Sequence, residues 1–395
     1  MEALHEIQLP ISKSIANRYL ILAALGGAAP IALPPDDALP NDVRVMRSLL
    51  SQSGTHEYDV QDAGTVFRFI TAYTTLLPGT HRVYGTPKLN QRPIAPLVDA
   101  LKQIGARIAY ESKPDEAPLI IEGHAPEGGN IITDASVSSQ FVSALMLIAP
   151  ALKYGITIHL QGRVSSWPYI TLTQKCLHDF GLHADMSQTL IRIPPQKISA
   201  CTAPVEKDWS SAAFWYALCA VTGKSFRFPG LHADSVQADA KTPHFFSALG
   251  VATHTSDIGI EIHKSEPVDS HLAFDMTEQP DMAPALIVAC AALRLKATFS
   301  GLHTLKFKES DRTKALEQEL SRLDVHFTSN EGTWALDASA LHLCDATLLT
   351  YNDHRLAMAF HCFKAMHAGI GIENPGCMVK SYPQFLDQFN TVFLN

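Results

Sequence analysis

The chain has 395 residues, 46% of them hydrophobic and 18% charged, with a net charge of −8. That length exceeds a single core and predicts two domains of roughly 200 residues each. The acidic balance argues against a nucleic-acid binder, which needs a basic face, so any anion held here must meet a local cluster of cations.

In chain order, residues 1–10 include Glu2, His5 and Glu6 and show no apolar signal core. The word Ser12-Lys-Ser-Ile-Ala-Asn-Arg18 then leads into the apolar run 20–25. The uncharged stretch 19–35 is interrupted by Gly26, Gly27 and Pro30. It falls short of the ~20 residues that span a bilayer, so a buried helix running into a loop is expected. Similar polar words follow: Asp62-Ala-Gly-Thr-Val-Phe-Arg68, Ser136-Val-Ser-Ser-Gln140 before the run 141–148, and Asp208-Trp-Ser-Ser211. The series continues with Pro280-Asp281 before the uncharged run 282–293, Lys308-Glu-Ser-Asp-Arg312, and Tyr351-Asn-Asp-His-Arg355. Ser, Thr and Asp at such places are ordinary N-caps. A helix N-terminus also presents N–H groups and the positive end of the helix dipole, where phosphates and carboxylates settle. Lys13 and Arg18, like Lys308 and Arg312, stand about one helical turn apart, so each pair can reach one anion.

Other residues carry their own signals. Gly64 lets a ligand approach the backbone closely, although Asp62-Ala-Gly-Thr65 lacks the spacing of a Walker loop. Arg92 precedes a proline in Gln91-Arg-Pro-Ile94 and so stands on extended or turn backbone, either solvated or facing a ligand. Glu309, flanked by cations, suits proton transfer. Asp281 is either an N-cap or a buried general base. Lys380 adjoins Ser381, an expected cap, and Cys377 reads as a buried, inert thiol. The seven cysteines form no Cys-x-x-Cys pair, so reduced thiols in a cytosol are expected. The 18 histidines form no recognisable ligand pair, so neither metal nor cofactor is expected.

One local pattern recurs: an amphipathic helix, a residue that tolerates the left-handed cap, then a β-like run. The capping places are Gly105, Gly181, Gly250 and Asp324, with 43–54 as a further copy. Such repetition suits an α/β protein built from supersecondary units used several times.

Taken in order, Leu9-Pro-Ile-Ser-Lys-Ser-Ile-Ala-Asn-Arg18, Asp62-Ala-Gly-Thr65, Gln91-Arg-Pro-Ile94, Ser136-Val-Ser-Ser-Gln-Phe141, Ser166-Trp-Pro-Tyr169, Lys308-Glu-Ser-Asp-Arg312, Tyr351-Asn-Asp-His-Arg355 and residues 375–380 form a set that resembles the 5-enolpyruvylshikimate-3-phosphate synthase family. The resemblance runs from about residue 7 to the C-terminus. It implies an α/β (α+β) fold, a two-domain inside-out α/β barrel with three βαβαββ repeats per domain and a cleft between domains. The continuous domain would be 12–206, and the other would join 1–11 to 207–395. It implies transfer of the enolpyruvyl group of phosphoenolpyruvate to the 5-hydroxyl of shikimate 3-phosphate, in a cytoplasmic, monomeric enzyme of aromatic amino-acid biosynthesis.

By position, the resemblance assigns Ser14, Arg18, Ser138, Ser139, Gln140 and Ser166 to shikimate 3-phosphate, with Tyr169 nearby. Gly64, Arg92, Arg312, Arg355 and Lys380 would hold phosphoenolpyruvate, and Lys13 would sit between both ligands. Asp281 would be the base on the hydroxyl, with Lys308 beside it, and Glu309 the acid at the methylene carbon. Arg68 matches another cleft arginine. Departures from the family pattern are Ile11, Asp62, Phe69, Trp167 and Thr304. The alternatives are transfer to UDP-N-acetylglucosamine by the sister family, which usually carries a Lys-Asn pair and a reactive loop cysteine, and an inactive anion-binding homologue.

Overall fold

The computed structural model describes residues 4–394 apart from 28–30, 53, 55, 135–137, 163, 165, 202 and 268–271. Glu2, Pro30, Ser136 and Val137, singled out above, lie outside the described residues. The chain divides into two compact units. The middle unit is Lys13–Asp36 with Asn41–Val205, and the split unit is Met1–Ser12, Asp37–Pro40 and Glu206–Asn395.

The middle unit holds two four-stranded sheets of one design. In the first, Glu57–Asp59 runs parallel to Gly79–Tyr84, and Leu119–Gly123 and Arg107–Tyr110 add antiparallel. In the second, Gly129–Asp134 and Ile156–Gln161 are parallel, with Leu190–Ile193 and Asp185–Met186 antiparallel. Helices separate the first three strands of each, so the order is βαβαββ. The split unit repeats this with Leu272–Asp275, Lys296–Ser300, His326–Asn330 and Thr333–Asp337. It does so again with Leu4–Glu6, Ser225–Pro229, Val251–Ser256 and Gly259–Lys264, where the whole middle unit is inserted in sequence after the first strand. A shorter member pairs Ala346–Leu348 with Ile370–Ile372 in parallel around the helix His354–Met366.

The expected left-handed caps are present. Gly105, Gly181, Gly250 and Asp324 have φ of 97°, 74°, 74° and 60°, and each leads from a helix into the third strand of its unit. Asp324 holds the conformation despite its Cβ, as Asn and Asp do more readily than other side chains. The copy at 43–54 differs. Gly54 also has positive φ (74°), but it leads from the helix Asn41–Ser51 to Glu57–Asp59, a first strand.

Each unit is organised around three helices that pack on one another. In the middle unit these are Lys13–Gly26, Gly64–Thr74 and Ser139–Ile148, and in the split unit Trp209–Thr222, Ala283–Ala292 and His354–Met366. Every residue of Ala283–Ala292 is buried, which explains why its sequence is apolar on all sides rather than on one stripe. The polar words found in the sequence lead into these core helices, except Lys308-Glu-Ser-Asp-Arg312, which leads into the helix Arg312–Ser321.

Candidate active site

In the middle unit the cations gather at helix starts. Lys13 opens the helix Lys13–Gly26, and its Nζ bonds Asp42 Oδ2 at 3.0 Å. Arg18, one turn further in, is 1% exposed. Its Nε donates to Thr173 Oγ1 (2.8 Å), Nη1 to the Ser14 carbonyl (2.7 Å), and Nη2 to Ser143 Oγ (3.0 Å) and the Tyr169 carbonyl (3.3 Å). All of these partners are neutral, and the Phe69 ring lies 5.3 Å from the guanidinium. Burial lowers the pKa of Arg18. Its charge stays formally uncompensated by these contacts, a costly arrangement unless an anion comes near. Lys13 thus meets an acid, whereas Arg18 meets neutral groups.

Gly64 begins the helix Gly64–Thr74. A Cβ added there would lie 2.4 Å from Arg92 Nη1 and 2.6 Å from Arg68 Nη1. Two guanidiniums thus crowd a helix N-terminus at the one place where a side chain is absent. Arg68 is fixed there by bonds to the Gly64 carbonyl (2.8 Å) and the Pro93 carbonyl (2.9 Å). Asp62 is tied back by the Thr86 hydroxyl, which donates to its carboxylate. Ser138 caps the helix Ser139–Ile148 by accepting from the Gln140 N–H at 3.3 Å. Ser166 heads the helix Trp167–Asp179 with φ 59° and ψ 48°, and its side chain makes no capping bond. A serine in the left-handed region costs of order 1–3 kcal/mol, a strain that concentrates at functional sites.

The split unit carries Asp281 and Glu309, the two residues expected to act as base and acid. Asp281 precedes the helix Ala283–Ala292, but the cap position falls to Met282, whose side chain makes no capping bond. The Asp281 carboxylate instead meets Arg312 Nη1 (3.1 Å), Lys308 Nζ (3.2 Å) and Arg355 Nη2 (3.4 Å). Arg355 Nη1 also donates to the Asp281 carbonyl (3.1 Å). Burial pushes the Asp281 pKa up, but Arg355, Lys308 and Arg312 together hold it well below the usual carboxylate range. Burial lowers Lys308, with Asp281 opposing.

Arg312 is the hub. Its Nε and Nη2 bond Asp353 (2.8 and 3.2 Å), Nη2 bonds Glu309 (2.8 Å) and Nη1 bonds Asp281 (3.1 Å). Burial works against its charge, yet Asp353, Glu309 and Asp281 outweigh that and raise its pKa. Glu309 also faces Lys380 Nζ at 3.6 Å. Lys308 and Arg312 converge on one carboxylate, not along a helix face: Lys308 ends the 3-10 turn Leu302–Phe307, and Arg312 starts the helix Arg312–Ser321. Ser381 is the C-cap of the 3-10 turn Pro375–Lys380, and Gln384 heads the following helix Phe385–Phe393. Cys377 is half-buried, and burial pushes its thiol up to about 11, far from a thiolate nucleophile at neutral pH.

Several supporting residues were missed in the sequence. Asp353, wholly buried, accepts from the Arg355 N–H (3.0 Å), Ser310 Oγ (3.1 Å) and Arg312. Asp42, Ser143 and Thr173 hold Lys13 and Arg18. Ser143 and Thr173 follow Ser139 and Tyr169 by four residues, so helical spacing from the recognised words would have found them.

A family model described as EPSP synthase (3-phosphoshikimate 1-carboxyvinyltransferase) matches residues 40–389. The chain belongs to the EPSP synthase family. A 3-phosphoshikimate 1-carboxyvinyltransferase of Bacteroides fragilis is 38% identical over 385 residues, covering 96% of this chain and 93% of the relative. An EPSP synthase structure from Acinetobacter baumannii superposes with a TM-score of 0.75 at 17% identity, covering 100% of this chain and 96% of the other. The enolpyruvyl transferase NikO from Streptomyces tendae gives 0.72 at 12% identity, covering 99% and 95%. The fold is therefore the two-domain inside-out α/β architecture. It is shared beyond EPSP synthases, so the acceptor is decided by sequence and not by fold. No helix among the described residues is long and apolar enough to cross a membrane.

Proposed function

We propose that this chain transfers the enolpyruvyl group of phosphoenolpyruvate to the 5-hydroxyl of shikimate 3-phosphate and releases phosphate, a step of aromatic amino-acid biosynthesis. The observation that carries this is the 38% identity, over 96% of the chain, to a relative named for that activity.

The chemistry of each unit supports the reading. Both substrates carry a phosphate of roughly −1.5 to −2 charge at neutral pH and a carboxylate, so they repel one another unless cations surround them. Arg92 at the Gly64 helix start, with Arg68 beside it, is assigned to phosphoenolpyruvate. The same ligand takes Arg355, Lys380 and Arg312. Ser14, Arg18, Ser138, Ser139, Gln140 and Ser166 are assigned to shikimate 3-phosphate. Lys13 is assigned to both. Asp281 takes the hydroxyl proton as the oxygen attacks, with Lys308 beside it, and Glu309 delivers a proton to the methylene carbon. Loss of phosphate and of a proton from that carbon then restores the double bond.

The state of Asp281 follows from its neighbours. In the ligand-free protein three cations make it a weak base. Anionic substrate draws Arg355 and Arg312 away electrostatically, and the proton affinity of Asp281 rises when the base is needed. The Gly64 arginines belong to the middle unit, and Asp281 and Glu309 to the split unit. One chain supplies every residue assigned, without a second copy. A reducing, cytoplasmic setting suits its seven cysteines, which form no Cys-x-x-Cys pair.

The test is phosphate release from phosphoenolpyruvate with either shikimate 3-phosphate or UDP-N-acetylglucosamine as acceptor. Turnover with the first alone is expected. Silence with the first acceptor overturns the proposal.

A further inference from the structure

The word Tyr351-Asn-Asp-His-Arg355 begins in a turn that backbone sterics oppose. Tyr351 and Asn352 are both left-handed, with φ of 54° and 57°, and the Asp353 N–H closes the turn on the Thr350 carbonyl (2.8 Å). Asparagine tolerates that region, whereas a bulky tyrosine there is an outlier. Such backbone persists only where the surroundings over-determine it. Glu319 supplies the main contacts. It lies in the helix Arg312–Ser321, has no role assigned above and is 2% exposed. Its Oε1 accepts from the Tyr351 hydroxyl (2.8 Å), and its Oε2 accepts from the Leu349 N–H (3.0 Å) and from Arg322. Gln318 Oε1 lies 3.0 Å from the same hydroxyl. Burial and Glu319 push the Tyr351 phenol up to about 12, so it remains a donor at neutral pH. Glu373, on the far side of the turn in sequence, accepts from the Thr350 N–H (3.1 Å).

The same helix holds the turn from its other end, because Arg312, its first residue, bonds Asp353 (2.8 Å). Asp353 accepts from the Arg355 N–H (3.0 Å), and the Arg355 guanidinium reaches Asp281 (3.4 Å). We propose that Glu319 is a positioning residue: by fixing Leu349 and Tyr351 it maintains the left-handed turn that places Arg355 for phosphoenolpyruvate. A buried carboxylate is costly unless it is hydrogen-bonded, and both oxygens of this one serve the turn. Without Glu319, Tyr351 is free to relax toward ordinary backbone, and the residues that follow it shift. A guanidinium moved by about 1 Å leaves the distance and angle that a charge-assisted hydrogen bond requires. The proposal rests on the assignment of Arg355 to phosphoenolpyruvate.

The experiment measures phosphate release, and from it KM for phosphoenolpyruvate at saturating shikimate 3-phosphate, in the wild type, Glu319→Ala, Glu319→Gln, Arg355→Ala and the double variant Glu319→Ala with Arg355→Ala. Glu319→Ala is expected to raise that KM about tenfold, as one charge-assisted hydrogen bond weakens. Glu319→Gln should stay close to the wild type. Its amide oxygen can accept the Leu349 N–H, and its amide NH2 can donate to the Tyr351 oxygen, whose hydrogen turns to Gln318. With Arg355 already replaced, Glu319→Ala should raise KM no further, because its effect passes through that arginine. An unchanged KM in Glu319→Ala, additive effects in the double variant, or a Glu319→Gln as impaired as Glu319→Ala each overturn the proposal and leave the Arg355 assignment standing. An unchanged KM in Arg355→Ala removes that assignment and the proposal with it. Should Glu319→Ala fail to fold, Tyr351→Phe takes its place beside Arg355→Ala, and an unchanged KM or additive effects there overturn the proposal in the same way.

Discussion

Replacing Gly64 with alanine isolates the arginine pocket of the middle unit. The new methyl would stand 2.4 Å from Arg92 Nη1, 2.6 Å from Arg68 Nη1 and 2.9 Å from Arg92 Cζ, where ordinary contact begins at 3.4 Å. The nearest guanidinium must therefore retreat by about 1 Å. The atoms in the way are the ends of long side chains and not backbone, so the fold can accommodate the change. Alanine also favours a helix over glycine by roughly 0.5–1 kcal/mol, so stability should be unchanged or slightly higher. The anion fares worse. A displaced guanidinium forfeits a charge-assisted hydrogen bond worth about 1.5–3 kcal/mol, which corresponds to a KM for phosphoenolpyruvate raised roughly 10- to 150-fold. Glyphosate, as a competitor for the same place in this family, should weaken in parallel. Steady-state phosphate release with varied phosphoenolpyruvate, beside a thermal melt, reads both effects. An unchanged KM in a normally folded variant refutes the placement of the anion at Gly64. A large loss of stability would show instead that the backbone had moved.

Three other predictions concern the split unit. Asp281→Ala should lower kcat by about 10²- to 10⁴-fold, with little change in either KM, because the carboxylate acts in the chemical step; a near-normal kcat removes it from that role. The depressed pKa of Asp281 means that its stabilising effect is present above the unfolded value of about 3.9 and is lost only as pH falls below it. The stability gap between wild type and variant should therefore be flat from about pH 7 to 8, above the range in which the neighbouring Asp239, which burial and Asp281 push up to about 6, titrates, and a gap that varies across that window contradicts the linkage. Asp353→Ala leaves Arg312 buried without its bidentate partner and should cost about 3–5 kcal/mol, seen as a lower urea midpoint. An unmoved midpoint would show that Asp281 and Glu309 suffice to hold that arginine.

Much of this protein was legible before folding because local rules govern it. The capping places are an example: Asp324 could be read as a glycine equivalent from spacing alone, and its φ of 60° obeys the same steric rule. The uniformly apolar run 282–293 announced a helix buried on every side, as Ala283–Ala292 is. Asp281 was not legible in this way. A carboxylate at the head of an apolar helix suits a cap as well as a base, and sequence spacing cannot separate the two. The structure gives the cap position to Met282 and sets the Asp281 carboxylate among Lys308, Arg312 and Arg355, which arrive from 27 to 74 residues away.

The sequence alone thus determined which residues carry charge, where helices begin and which family's ordered words are present, since these depend on neighbours along the chain. Tertiary structure decided how the charges are paired. Arg18 is buried among Thr173, Ser143 and Ser14, the first two 155 and 125 residues distant. Arg312 is held by an acid 41 residues away. Coulomb energy depends on separation in space and on local burial, and neither is set until the core helices have packed.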